Sequence, residues 1–398
     1  MKRKLKLIFS CFVLILAIFS FENITVVKAE NNSAQEEIEK ELNENVNETI
    51  NDFDFSPLDQ LAEKLADSDK LFFNSSSFVS KLKQILSGEF ADGYNSLFKA
   101  VVNLFFEYLL NVIPLLALIV AVAILSSFFN NVKPSSSEVG EIIHLVCLGV
   151  IATIVVKFVC DFIALSLSVL QTISQISDVV FPILLTLVAS MGGTVSVSVY
   201  QPVVLIFSNA ILKIFSSTLI TLFVLYFVFN LISCFSKKIK FSKLSSFFSS
   251  TFKWILGIVF FIFMAYLSLQ GITASTLDSM KIRTAKFAVR NYVPLVGGYL
   301  SEGFDFILSS LALVKNAVGI CAILLLISLL FSVVLKIAVF GLGLKLVCGI
   351  CEPICDDRIT NFLHTTSKSF SMLVALLLGA GFIFLIIVGL IILTLGAV

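Results

Sequence analysis

Residues 179–212 read VVFPILLTLVASMGGTVSVSVYQPVVLIFSNAIL and carry no charge. As one straight helix these 34 residues would be about 51 Å long, whereas the hydrocarbon core of a bilayer is about 30 Å thick. The central Gly192-Gly193 pair, followed by alternating Ser and Val, favours a break in the helix. We therefore predict a re-entrant hairpin of two half-helices, which start near Pro182 and Pro202 and meet at the glycine pair.

The composition around this stretch indicates a membrane protein. Of the 398 residues, 58% are apolar and only 14% are charged, whereas a soluble domain carries about 25% charge. Lipid is the solvent that accommodates such an excess of apolar surface. We predict an all-α, polytopic helical membrane protein whose multi-span domain covers residues 104–398.

Six further apolar runs have the length that a transmembrane helix needs, about 20 residues. The second contains Lys157 and Asp161, and the other five carry no charge at all. The predicted spans are 108–129, 142–163, 214–235, 255–277, 316–335 and 370–396.

The N-terminal hundred residues differ in character from the rest of the chain. Residues 1–29 have the basic start, apolar centre and small-residue end of a signal peptide; an uncleaved anchor helix is the alternative. Residues 30–103 form an acidic extracytoplasmic region, of which 30–55 are predicted to be disordered. Two short amphipathic helices should follow, packed on the membrane surface, on each other or on a partner; a solvated spacer is the other interpretation.

The orientation of the spans follows from the loop at 237–243, which is basic and contains no acid. Such loops remain in the cytoplasm, so the hairpin 179–212 must return to the side from which it came.

The segment 280–314 is predicted to be an interfacial or hairpin segment outside the cytoplasm. Its basic side chains fall on one helical face, as in helices that lie in a membrane interface, and a turn sequence follows them. The candidate interfacial face is Arg283, Lys286 and Arg290, and the second candidate conduit or hairpin turn is Pro294, Gly297 and Gly298.

Two charged residues within the second span form a candidate intramembrane ion pair. Lys157 and Asp161 are four residues apart and share one helical face. Intramembrane charges are functional candidates by default. In the alternative, Lys157 lies near the outer end of its span and reaches the interface.

Metal binding and catalysis find little support in the sequence. Cys348, Cys351 and Cys355 have a metal-like spacing, with His364 as a possible fourth ligand, but thiols at the end of an apolar helix are the simpler interpretation. Motifs for phosphate binding, metalloprotease or serine hydrolase chemistry do not occur. We expect no enzyme activity, metal, cofactor or nucleic-acid binding.

Several short runs resemble the stage III sporulation protein AE family of endospore-forming bacteria. The signal sequence, the acidic exported region, the length and the multi-pass body also match that family, so the resemblance covers essentially the whole chain. The runs are 190–193 (SMGG), 200–202 (YQP), 268–271 (SLQG), 281–287 (KIRTAKF) and 293–298 (VPLVGG).

The resemblance implies a role that residue spacing alone does not. It implies a component of the mother-cell membrane around the forespore, in a channel or secretion-like complex that supports forespore gene expression after engulfment. The implied partners are other stage III sporulation A-operon proteins, including a cytoplasmic ATPase and ring-forming components, and indirectly stage II sporulation protein Q. The family offers no catalytic residues to transfer. A self-contained small-solute permease and a non-conducting assembly scaffold remain as alternatives.

Overall fold

The computed structural model describes residues 46, 55–66, 77–86, 94–132, 137–235, 241–292 and 296–395. Within these ranges every regular element is helical, which confirms the predicted all-α class. The predicted signal peptide, and all but two residues of the predicted disordered segment 30–55, lie outside the described residues.

In the described part of the chain, nine α-helices follow one another, and two π-helical segments join α5 to α6. The α-helices are α1 Ser56–Ala66, α2 Phe78–Leu86, α3 Tyr94–Val132, α4 Ser137–Ser190, α5 Thr194–Ile206, α6 Ile220–Phe235, α7 Ser242–Tyr292, α8 Gly297–Cys351 and α9 Asp357–Leu393; the π-helical segments are Phe207–Ile211 and Ile214–Leu219.

Six helical stretches among the described residues are long and apolar enough to cross a membrane, which agrees with the predicted number of spans. They are Val101–Phe129, Leu145–Ser190, Thr194–Phe235, Ser242–Ser268, Gly297–Cys351 and Asp357–Leu393.

The helices extend well beyond the predicted spans. The structure shows helices of up to 55 residues, about 83 Å at 1.5 Å per residue, where bilayer-length spans separated by loops were expected. The predicted span 255–277 lies inside α7 and the span 316–335 inside α8. The physical reason is that a helix packed among other helices satisfies its own backbone hydrogen bonds and has no cause to stop at the membrane surface.

Two phenylalanine clusters join α4 to the central pair of helices, α8 and α9. In the first, Phe158 stacks on Phe340 with ring centroids 5.0 Å apart, and Phe162 meets Phe370 edge to face at 5.6 Å. In the second, Phe181 lies 5.2 Å from the ring of Phe384. Aromatic pairs in these arrangements add about 0.5–1.5 kcal/mol each beyond the apolar area that they bury.

The two short helices α1 and α2 are packed against the bundle. Phe78 and Leu82 of α2 are fully buried, and the ring of Phe78 stacks on Phe55 at 5.8 Å. The backbone N–H of Val79 donates to Asp59 of α1 at 3.3 Å. Helix α1 also contacts α4, and α2 contacts α8. For these helices, the interpretation as a solvated spacer is therefore wrong.

The first hairpin is built differently from the prediction. Pro182 lies inside α4 and Pro202 inside α5, so neither proline starts a half-helix. The chain instead breaks at Gly192 and Gly193, as expected, and turns back. Since α4 is one continuous helix over 54 residues, the predicted span 142–163 and the first half of the hairpin are a single element.

The segment 280–314 also differs from its prediction as an interfacial segment. Residues 280–292 continue α7, and residues 297–314 begin α8, so the turn lies between Tyr292 and Gly297. The hairpin is present, but the structure shows no separate interfacial helix in its described residues.

Candidate functional site

One face of α4 is exposed and polar although the helix as a whole is apolar. From residue 153 to residue 186, about 50 Å of helix, the exposed side chains recur every three or four residues and include no large aliphatic or aromatic residue. We call them the polar face of α4: Thr153, Lys157, Cys160, Asp161, Ala164, Ser168, Gln171, Gln175, Asp178, Pro182 and Thr186.

The π-helical region after α5 adds polar side chains beside this face. A π-helical turn carries one more residue than an α-helical turn, and such turns frequently occur at functional sites. Asn209 lies in the first π-helical segment and Ser216 in the second, with Lys213 between the two segments. Asn209 and Lys213 are exposed, and Ser216 is half-buried.

The two sets of side chains enclose a polar groove of about 270 Å³ between α4 and the π-helical region. In the described part of the chain, the Ser208 hydroxyl is one of the buried side-chain groups without a hydrogen-bond partner. The groove is lined by Leu170, Gln171, Ser174, Ser208, Asn209, Leu212, Lys213 and Ser216.

A larger cavity, of about 450 Å³, lies between α3 and α8 and differs in chemistry. Ten residues line it, among them Ile113, Leu116 and Leu346, and all ten are apolar or glycine. It suits an acyl chain rather than a polar solute, so the polar groove is the better candidate for function.

The turn of the first hairpin is fixed by a buried carboxylate from α7. Asp278 is fully buried, and its two carboxylate oxygens accept the N–H groups of Val195 at 3.1 Å and Ser196 at 2.7 Å. These N–H groups belong to the first turn of α5, where the helix dipole favours a negative charge. Gly192, with φ of +88°, makes the turn and faces Ile282 of α7.

The same turn is closed on its other side by the end of α9. A Cβ at Gly193 would lie 2.8 Å from the carbonyl oxygen of Val188 and 2.9 Å from Leu395, so only glycine fits. The fully buried Lys315 of α8 donates to the carbonyl oxygen of Thr394. The long helices α4, α7, α8 and α9 therefore meet at this place. We call the residues there the outer junction: Gly192, Gly193, Asp278, Ile282, Lys315, Thr394 and Leu395.

The candidate conduit residues are not gathered in one place. Pro182 and Pro202 are exposed on α4 and α5, whereas Gly192 and Gly193 lie in the outer junction. Of the second set, Pro294 is outside the described residues. Gly297 is buried against the backbone of α7, where a Cβ would lie 2.5 Å from the carbonyl oxygen of Val289, and Gly298 is exposed with open space around it.

The candidate ion pair does not form within one copy of the chain. Lys157 and Asp161 are both exposed on the polar face of α4, and no ion pair joins these two described side chains. A lysine that precedes its acid by four residues is the less favourable order on a helix. The helix α4 continues from Lys157 to Ser190.

The candidate basic face of α7 is partly neutralised by the neighbouring helix. Lys286 forms an ion pair with Asp305 of α8, while Arg283 and Arg290 are exposed.

The thiols at the end of α8 pack with the adjoining turn. Cys348 donates to the carbonyl oxygen of Thr360 at 3.4 Å. Burial raises the pKa of the Cys355 thiol, and a hydrogen bond with Cys351 partly offsets that rise. The described residues contain no cluster of His, Cys, Asp or Glu arranged to hold a metal ion.

Neither the groove residues nor Asp278 are predicted as site residues from the sequence. The polar positions of α4 recur at helical spacing within an apolar run, and that signal was readable; only Lys157 and Asp161 were singled out from it. The contact of Asp278 with Val195 joins residues 83 positions apart, and no local pattern predicts such a contact.

Comparison with known proteins gives one family. The model of the family described as stage III sporulation protein AE matches residues 76–395. The chain is 28% identical over 200 residues to stage III sporulation protein AE of Bacillus subtilis (strain 168), an alignment that covers 50% of each protein. The chain thus spans about half the length of the curated relative that it matches. No solved structure matches the chain.

Proposed function

Because the chain belongs to the stage III sporulation protein AE family, we propose that it is the membrane component of a channel or secretion-like complex between mother cell and forespore. In this role it sits in the mother-cell membrane around the forespore and supports forespore gene expression after engulfment. Its acidic N-terminal region then lies outside the mother-cell cytoplasm.

The polar groove is the observation that supports a conducting role. Exposure of Asn209 and Lys213 to lipid would be unfavourable, because polar side chains within a membrane are costly unless they face water or protein. Together with Gln171 and Ser174 they form a wall that a hydrated or polar cargo could contact. A scaffold without a path would not need such a wall within its apolar helices.

The proposed role needs no catalytic residue in this chain. The energy would come from a cytoplasmic ATPase encoded in the same operon, and ring-forming components would continue the path outside the membrane, with stage II sporulation protein Q contacted indirectly. The chain would supply the segment that crosses the lipid.

Replacement of the groove's polar side chains tests this role. In a sporulating host that relies on this chain, Asn209→Leu with Lys213→Leu should abolish a forespore reporter that is expressed after engulfment, while the chain still accumulates in membranes. Thr221→Leu is the control, because Thr221 is an exposed polar residue of the adjoining helix α6, outside the groove. Normal reporter expression in the double variant would reject the groove as a conduit.

The groove's volume also favours a second candidate, a self-contained permease for small polar solutes. Purified chain in liposomes separates the two: a permease gives solute flux by itself, whereas a channel component gives none without its partners. Flux that disappears in the Asn209→Leu, Lys213→Leu variant would favour the permease.

A further inference from the structure

The polar face of α4 carries two opposite charges that have no ion-pair partner among the described residues. Lys157 and Asp161 are exposed one helical turn apart, with Cys160 beside them. We call Lys157, Cys160, Asp161, Ala164 and Ser168 the charged stripe.

The charged stripe lies within the apolar length of the bundle and not at its ends. Phe158, next to Lys157, stacks on Phe340 of α8. One turn further along α8, Gly343 faces Leu116, which is near the middle of the apolar stretch Val101–Phe129 of α3. Lipid headgroups, which carry the charges of a bilayer, are therefore not the natural partners of these side chains.

An unpaired lysine at such a position is expensive. A charged side chain near the centre of a membrane helix costs about 2.5–3.5 kcal/mol on insertion scales, and such residues normally pair or face water. The stripe offers one positive and one negative group on the same face, which makes it complementary to itself. In a two-fold arrangement, each lysine of one copy reaches the acid of the other.

The remaining residues of the stripe permit a close approach of two helices. Cys160, Ala164 and Ser168 recur every four residues and are small, and small residues at this spacing let helix backbones pack closely in membranes. The outward residues before the stripe, Val146 and Val150, are apolar. The outward residues of α4 thus change from apolar to polar or small at Thr153, one turn before the stripe.

We propose that the charged stripe is the surface through which two copies of this chain associate in the membrane, with Lys157 of each copy paired to Asp161 of the other. The pairing is isologous, so the same patch serves both partners. This inference does not depend on the channel role, since association of two copies is compatible with conduit, permease or scaffold.

The native Cys160 provides the test, because two copies that meet at the stripe bring their Cys160 thiols together. Full-length chain in native membranes, treated with a short membrane-permeable bismaleimide, should give a covalent dimer that is lost in Cys160→Ser. In the Cys160→Ser background, Leu118→Cys, on the outward face of α3, should give none. A dimer from the Leu118→Cys control at the yield of the native chain would mean random collision and would overturn the proposal.

Charge reversal gives a second measurement that does not depend on folding alone. Lys157→Asp and Asp161→Lys should each lower the cross-linked fraction about tenfold. Each single variant replaces the two interhelical Lys157–Asp161 pairs with pairs of like charge. The double variant Lys157→Asp, Asp161→Lys should restore the dimer, because the exchanged pair is again complementary. Unchanged yields in the single variants, or no restoration in the double variant, would overturn the proposed pairing.

Other occupants of the stripe give distinct outcomes. If the stripe faces only water, Cys160 reacts rapidly with an aqueous maleimide but yields no dimer. If a different protein covers it, the cross-linked product has the mass of a mixed complex and not of two copies of this chain. Either result overturns the proposal while leaving the groove experiment unaffected.

Discussion

Helices α3 and α4 pack against each other, yet their outward faces have opposite chemistry. From residue 113 to residue 129, every exposed residue of α3 whose side chain is described is apolar, and large side chains such as Leu118, Leu125 and Phe128 dominate. From residue 153 to residue 186, the exposed residues of α4 are polar or small, proline included. The apolar outward face of α3 suits contact with lipid, whereas the polar outward face of α4 would be costly in the same environment.

Mean hydropathy therefore assigns a helix to the membrane but does not show which of its faces contacts lipid and which contacts water or protein. Both helices pass the same test of length and apolar character. Only the burial pattern shows that α4 keeps its apolar residues for α8 and α9 and presents its polar residues outward.

The largest expected effect comes from placing a charge on the lipid-facing side. Leu118→Lys should weaken insertion of α3 by about 3 kcal/mol, roughly a hundredfold, because the lysine replaces a leucine that faces hydrocarbon. The measurement is the amount of full-length chain recovered from carbonate-washed membranes.

Gln171→Lys on α4 is the control for that variant and should leave recovery near the native level. Equal losses from the two lysines would mean that both faces meet lipid, and the comparison between α3 and α4 would fail.

The next effect concerns the junction that holds the α4–α5 hairpin in place. Asp278→Leu removes a charged acceptor from two backbone N–H groups and should destabilise the bundle by about 2 kcal/mol, about thirtyfold. The thermal unfolding midpoint in detergent micelles should fall accordingly. Asp278→Asn keeps one acceptor oxygen, so its unfolding midpoint should lie between those of the native chain and Asp278→Leu. An Asp278→Leu midpoint equal to the native one would contradict the assigned capping role.

The smallest expected effect is a difference in accessibility between the two faces. In a Cys160→Ser background, Gln171→Cys should react with a water-soluble maleimide at least about tenfold faster than Leu118→Cys, because thiolates form and react in water and hardly at all in hydrocarbon. Rates are measured in intact membranes and corrected for the native cysteines. Equal rates would remove the evidence that the polar groove is wet.

Much of the fold could be predicted from the sequence. Apolar runs of sufficient length gave the all-α membrane class and six spanning elements, and the Gly192-Gly193 pair marked the turn. The extent of the helices could not be predicted, because hydropathy locates a bilayer's worth of residues and does not report where a packed helix ends. Pro182 illustrates this: the sequence predicts a helix start there, whereas the residue lies eight positions before the end of α4.

The candidate site was less predictable than the fold. Lys157 and Asp161 were recognisable as intramembrane charges, but their outward direction depends on the burial of Phe158 and Phe162 against distant helices. Lys213 attracted no attention as a groove residue, since its position beside Gln171 depends on the turn at Gly192. Such residues come together because the chain turns back on itself, and a local sequence pattern does not predict that proximity.

Asp278 anchors α7 at the outer junction, and the helix projects beyond this anchor point. The helix continues from Asp278 to Tyr292, an arm of about 21 Å, and Tyr292 at its far end is 83% exposed. A force applied to that arm would be transmitted to the first turn of α5 through the two hydrogen bonds of Asp278. Helix α5 in turn leads to the π-helical region that lines the groove.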